Sequence, residues 1–112
     1  PGDLRELIIL RVAVLNRADF EFDAHAPIAE REGVSAAKIQ AVTGAVIGDK
    51  FDLRERQVLA LTDAMTRDVT VPDALMAELQ QHYDAQRLVE LVATVAAYNM
   101  VSRFLVALNV SH

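Results

Sequence analysis

Residues 4–33 read LRELIILRVAVLNRADFEFDAHAPIAEREG, and this stretch decides the fold class. Leu7, Ile8, Leu10, Val14 and Leu15 almost surround the axis of a helix over residues 4–15. That spread suits a helix and not a half-buried strand, whose apolar residues would alternate. Asp3, followed three residues later by Glu6, has the spacing of a capping box that would open the helix. Residues 16–19 then read as a short turn, with Asp19 placed to cap a second helix over residues 19–32. Gly33 is the expected left-handed stop. Pro27 falls inside the second helix, where it has no N–H for the carbonyl of Asp23, so a kink is expected there.

The same grammar continues outward. Ser35 caps a third helix over residues 36–42, and TGAVIGDKF (43–51), with its two glycines, is the longest loop. Asp52 and Glu55 repeat the capping-box spacing and open a fourth helix over residues 53–67, its inner face being Val58, Leu61 and Met65. Pro72 takes the first position of a fifth helix reaching His82. Asp84 caps the sixth and longest, over residues 85–109. Its apolar residues, among them Leu88, Val95, Val101 and Phe104, point in every direction, which places it at the centre of a core or in an oligomer interface. No strand-like alternation is bounded by turn signals. The expectation is an all-α single domain of six helices spanning residues 1–112.

Composition narrows the function. The 112 residues suffice for one core without metals or disulfides. Hydrophobic residues make up 53% and the mean hydropathy is +0.21, so another subunit is expected to cover part of the apolar surface. Eleven basic and sixteen acidic residues give a net charge of −5. No run of three cations exists to track phosphates, which argues against nucleic acid as a partner. The absence of cysteine removes disulfides and thiolate nucleophiles and fits a reducing, cytoplasmic setting. Apolar runs are interrupted by Glu6, Arg11, Glu90 and Asn99, so no membrane span is expected. The chain opens on Pro1 and not Met, so its natural start is expected upstream.

Glu21 and His25 are one helical turn apart on a common face. A carboxylate beside an imidazole favours the protonated ring and suits general acid/base work. The plainer alternative is an ion pair that only supports the helix. Glu6, in so apolar a helix, is expected to be partly buried. If the turn folds the second helix back, Glu6 and His25 come level to within about 5 Å along the axis. Capping explains Glu6 equally well, and the two roles are compatible. For a metal, His25, His82 and His112 share no ligand spacing, and Glu21 with His25 gives only two ligands. On the last helix Glu90, Thr94, Tyr98 and Ser102 recur every four residues, with Asn99 and Arg103 beside them. Such a stripe, Tyr98 and Asn99 above all, lines either a pocket or a set of buried hydrogen bonds. No nucleotide-binding loop is present, and no cofactor is called for.

RELIILRVAVLNRADFEFDAHAPIAEREGVSAAKI (5–39) and LVELVATVAAYNMVSRFLVALNV (88–110) together resemble the carboxymuconolactone decarboxylase family, which includes the alkylhydroperoxidase D-like proteins. The resemblance implies an all-helical fold assembling as trimers, or hexamers built from them. The hydroperoxidase branch carries E-x11-C-x-H-C-x3-H. On this chain its first Glu falls on Glu6 and its final His on His25, while Ala18 and Glu21 stand at the cysteine positions and Phe20 at the middle His. A dithiol peroxidase is thereby excluded, since no sulfur nucleophile remains. The decarboxylase branch needs no cysteine and handles small unsaturated lactone acids. The resemblance thus points to acid/base chemistry, either decarboxylation or isomerisation, by His25 with Glu6 and Glu21. The alternative is a non-catalytic binding or assembly module on the same fold. Arg11, Arg17 and Arg103 are the cations considered for holding a substrate carboxylate.

Overall fold

The first helix, apolar on every side, is surrounded by protein. The computed structural model describes residues 2–110, and its elements are α1 (Gly2–Leu15), α2 (Asp19–Arg31), α3 (Ala36–Ala41), α4 (Leu53–Asp68), α5 (Asp73–His82) and α6 (Ala85–Ala107). Among the described residues the secondary structure is entirely helical. Pro1 and His112 lie outside the described residues.

Helix α1 is the axis of the molecule and packs against α2, α4 and α6. Leu7, Ile8, Leu10 and Val12 have no exposed surface. Leu7 and Leu10 face a cluster with Ala29, Val34, Val42, Phe51 and Leu59. One face round, Leu4, Ile8 and Val12 meet Val58 and Val95. Each such side chain withdrawn from water stabilises the fold by about 1.5–3 kcal/mol. A third cluster of Leu61, Leu79 and Leu88 joins α4, α5 and α6.

The α1–α2 hairpin is set by chain chemistry at both of its ends. At the close of α1 the Ala18 amide bonds the Ala13 carbonyl and the Arg17 amide that of Val14, with Arg17 at φ 56°. Helix α2 ends in the same way: Val34 N–H bonds Ala29, Gly33 N–H bonds Glu30, and Gly33 takes φ 99°. These paired bonds are the Schellman arrangement, in which a left-handed residue turns the chain back on the helix. Helix α2 runs through Pro27 as one element, without a break in the helix.

Three expected caps are present. Ser35 accepts from the Lys38 amide, Asp52 and Glu55 exchange both bonds of the capping box, and Asp84 accepts from the Arg87 amide. The cap expected at Asp3 is not formed. Asp3 already lies inside α1, and the Glu6 carboxylate is turned to other partners. Asp19 is likewise the first helical residue of α2, with no side-chain cap before it.

Of the two places expected for α6, the centre of the core is excluded and an oligomer interface is left. Leu88, Val95 and Ser102 are buried, whereas Val89, Met100 and Phe104 are 67%, 69% and 62% exposed. By length and composition alone α6 is also apolar enough to cross a membrane, contrary to expectation. Its contacts with α1 and α4 engage one side only, and the exposed residues share the opposite side.

Backbone strain is concentrated after α4. Val69, 80% exposed, sits at φ 69°, ψ −42°, a region that β-branched residues avoid. Val69→Gly removes that strain without loss of buried surface. It should raise the unfolding free energy by about 1 kcal/mol in urea denaturation.

Candidate active site

The hairpin brings together side chains that the sequence separates. Glu6 projects from the middle of α1 and is buried, with 2% of its surface exposed. An isolated carboxylate there would be strongly disfavoured, so its partners matter. Its Oε1 lies 2.8 Å from His25 Nδ1 on α2, and its Oε2 accepts from Arg5 Nε at 3.1 Å. His25 Nε2 lies 3.0 Å from Glu21 Oε1, one turn back on α2. The imidazole is therefore held between two carboxylates, one from each helix of the hairpin.

Both ring nitrogens face carboxylate oxygens. A neutral imidazole has one N–H donor, while an imidazolium has two. The two contacts are satisfied together when the ring carries both protons, and Arg5 with imidazolium then balances Glu6 and Glu21. Arg5 also reaches Glu32 Oε1 through Nη2 at 3.3 Å, which ties the end of α2 to the start of α1. The hydrogen bond to Glu6 pushes the Arg5 guanidinium above its ordinary range. The Tyr98 ring on α6 stands edge-on to the imidazole, with centroids 5.7 Å apart and planes at 81°. This contact fixes the ring plane from the third helix.

The structure thus gathers Glu6, Glu21, His25 and Tyr98. Asn99 lies elsewhere: its amide donates to Thr66 Oγ1 and the Val95 carbonyl, and its Oδ1 accepts from Asn16. It ties the turn after α1 and helix α4 to α6. The polar stripe divides accordingly, with Glu90 and Thr94 on a surface cleft, Tyr98 on His25, and Ser102 buried without a hydrogen-bond partner. His82 closes α5, well away from His25 in the chain, and His112 lies outside the described residues. Among the described residues no three side chains are grouped to hold a metal ion.

Two of the cations considered for a substrate carboxylate are otherwise engaged. Arg11 is fully buried and grips Asp63 and the 42–45 loop. Arg103 donates to Asn16 and to the Thr66 carbonyl. Arg17 occupies the exposed hairpin turn. Sequence reasoning missed Arg5, because neighbours in a helix do not normally face one another.

This geometry can be compared with known proteins. The family model described as the carboxymuconolactone decarboxylase family matches residues 1–64, more than half of the chain and the part holding Glu6, Glu21 and His25. The chain belongs to the carboxymuconolactone decarboxylase family. Two proteins are similar to it in sequence over nearly its whole length. Uncharacterized protein YdfG of Bacillus subtilis is 29% identical over 107 residues, covering 94% of this chain and 73% of that protein. Uncharacterized protein YnjA of Escherichia coli is 34% identical over 109 residues, covering 96% of this chain and 59% of that one. A crystal structure of an Agrobacterium tumefaciens protein of unknown function, described as a candidate AhpD antioxidant defence protein, superposes with a TM-score of 0.92. It covers all of this chain and 78% of that one at 24% identity. The match establishes the alkylhydroperoxidase D-like fold for this carboxymuconolactone decarboxylase family member.

Proposed function

We propose that this chain is a cofactor-independent acid/base enzyme acting on a small organic acid, by decarboxylation or isomerisation of a lactone acid or its relative. The observation that carries the reading is the imidazole of His25 held at Nδ1 by the buried carboxylate of Glu6 and at Nε2 by Glu21. Glu6 orients the ring, and the Nε2 proton, shared with Glu21, is the one available to a substrate. In a decarboxylation the carboxylate C–C bond breaks, its electron pair enters a dienolate, and carbon dioxide leaves. Nε2 then delivers its proton to the carbanionic carbon, and the ring regains one from solvent by way of Glu21. Family membership supports the substrate class.

The test is turnover of a panel of unsaturated lactone acids and keto acids by wild type and His25→Ala. Turnover that depends on His25 supports the reading, and equal rates overturn it. A non-catalytic binding or assembly module is the second reading. It is favoured by one observation: the surface cavities described are lined by residues other than Glu6, Glu21, His25 and Tyr98.

A second copy of the chain is proposed as the cover of α6, in a trimer, or a hexamer built from two trimers, within the cytoplasm. Val89, Ala93, Ala96, Met100 and Phe104 form one stripe along four turns on the side away from α1, and all are exposed. An apolar strip of that length is a surface that association removes from water. Phe104→Asp should convert the assembly to monomer in analytical ultracentrifugation. A monomeric wild type would dismiss the association.

A further inference from the structure

A cleft of about 270 Å³ opens between the first turns of α1 and the start of α6. Leu4, Ile8 and Leu91 form its apolar wall, and two guanidinium groups, Arg5 and Arg87, border it. Tyr83 lines the cleft, with the Arg54 guanidinium over its ring, 5.8 Å from the centroid. The cleft is near the lower end of the volumes typical of small-molecule sites, so it suits a compact ligand. We propose that it binds a small organic acid, whose carboxylate is held by Arg87 and Arg5 and whose apolar body lies against Leu4, Ile8 and Leu91.

Three observations carry this. First, the Arg87 side chain makes no hydrogen bond or ion pair among the described residues, although it borders a cleft. Glu90, the acidic residue on the same rim, accepts instead from Gln86 Nε2 at 3.3 Å. Second, Arg5 spends Nε on Glu6 and Nη2 on Glu32, which leaves Nη1 for a ligand. Arg5 therefore touches the acid/base cluster with one edge and the cleft with the other. Third, Arg87, Leu91, Thr94 and Tyr98 recur at intervals of four, three and four, so they share one face of α6. The first three line the cleft and the last meets the His25 ring. Thr94 stands about 6 Å of helix rise before Tyr98, and Arg87 about 16 Å before it. A carboxylate at Arg87 thus lies at the end of this face remote from His25, and Arg5 is the side chain that joins the cleft to the acid/base cluster.

The substrate role of this site rests on the acid/base reading, but its affinity for carboxylates does not. Benzoate and its neutral counterpart benzamide are the probes, followed by two-dimensional NMR titration of wild type, Arg87→Gln and Arg17→Gln. Benzoate should shift the resonances of Leu4, Ile8 and Leu91, with benzamide at least ~10-fold weaker. Arg87→Gln should weaken benzoate by about 10- to 100-fold, the value of a charge-assisted hydrogen bond, and leave benzamide unchanged. Arg17→Gln, remote from the cleft, should change neither. Equal binding of the two probes, shifts confined to other residues, or an Arg87→Gln affinity equal to wild type overturns the proposal. Turnover separates the two claims. If His25→Ala abolishes it while Arg87→Gln alters neither KM nor benzoate affinity, the cleft is wrong and the acid/base reading stands. If Arg87→Gln abolishes benzoate binding while His25→Ala turns over normally, the reverse holds.

Discussion

Arg11→Met is expected to lower the unfolding free energy by about 3–5 kcal/mol, the loss typical of removing one partner from a buried ion pair. Arg11 has no exposed surface, and its Nε and Nη2 meet both oxygens of Asp63 at 2.7 and 3.0 Å. Nη1 donates to the carbonyls of Val42 and Gly44, and Nη2 also reaches that of Ala45. One side chain thus closes the end of α3, the start of the long loop and the middle of α4 onto α1. Methionine fills much of the volume but supplies no donor, so Asp63 and the Val42 and Gly44 carbonyls lose the guanidinium together, while Ala45 keeps Arg67 Nη2. Lysine fails as well, because a single ammonium cannot span a carboxylate and several carbonyls in the guanidinium's fork. For a urea slope of about 2 kcal/mol per molar, the midpoint should fall by about 2 M. Arg11→Met combined with Asp63→Leu should recover a large part of the loss, since replacing both members of a buried pair is close to neutral. A single variant within 1 kcal/mol of wild type would show that the clamp contributes nothing.

Arg11 also marks the boundary of what the sequence discloses. A cation in an apolar helix was recognisable as unusual, but its partner lies 52 residues away and the other acceptors are backbone. Elements set by neighbouring residues were legible: Ser35, Asp52 with Glu55, and Asp84 cap where their spacing says, and Gly33 turns left-handed where α2 ends. Local spacing misleads where a distant group competes. Asp3 and Glu6 have capping-box spacing, yet an imidazole and a guanidinium claim the Glu6 carboxylate, and the helix begins before Asp3 can cap it. Helices α1 and α6 are both apolar on every side, and composition does not say which one neighbours surround. The hairpin decides, since α2 and α4 both fold onto α1. In the site, Glu21 and His25 follow from a spacing of four, and Glu6 from a two-helix hairpin of matched length. The placement of Tyr98 against His25, by contrast, depends on how α6 crosses α1, which no local pattern encodes.

His25→Ala is expected to reduce kcat/KM by about 10²–10⁴-fold on whichever acid of the panel the wild type turns over, the contribution usual for a positioned proton donor. The variants around it carry the sharper test. Glu6→Gln has one acceptor oxygen for two donors, His25 Nδ1 and Arg5 Nε, and turns an amide N–H₂ towards one of them. It also removes the buried carboxylate that orients the ring through Nδ1, so its loss should approach that of His25→Ala. Glu21→Gln keeps an acceptor for Nε2 at a position already less deeply buried, so its loss should be smaller. Groups that act as one unit are strongly non-additive. Glu6→Gln combined with His25→Ala should therefore be no slower than His25→Ala alone, because orienting a ring that is absent has no effect. Far-UV circular dichroism and thermal melts identify any variant whose loss is only unfolding. If the folded double variant is slower by the product of the single losses, Glu6 acts independently of the imidazole. If folded His25→Ala is within twofold of wild type, the proton comes from another group, and the pairing of Glu6 with His25 serves only to join α1 to α2.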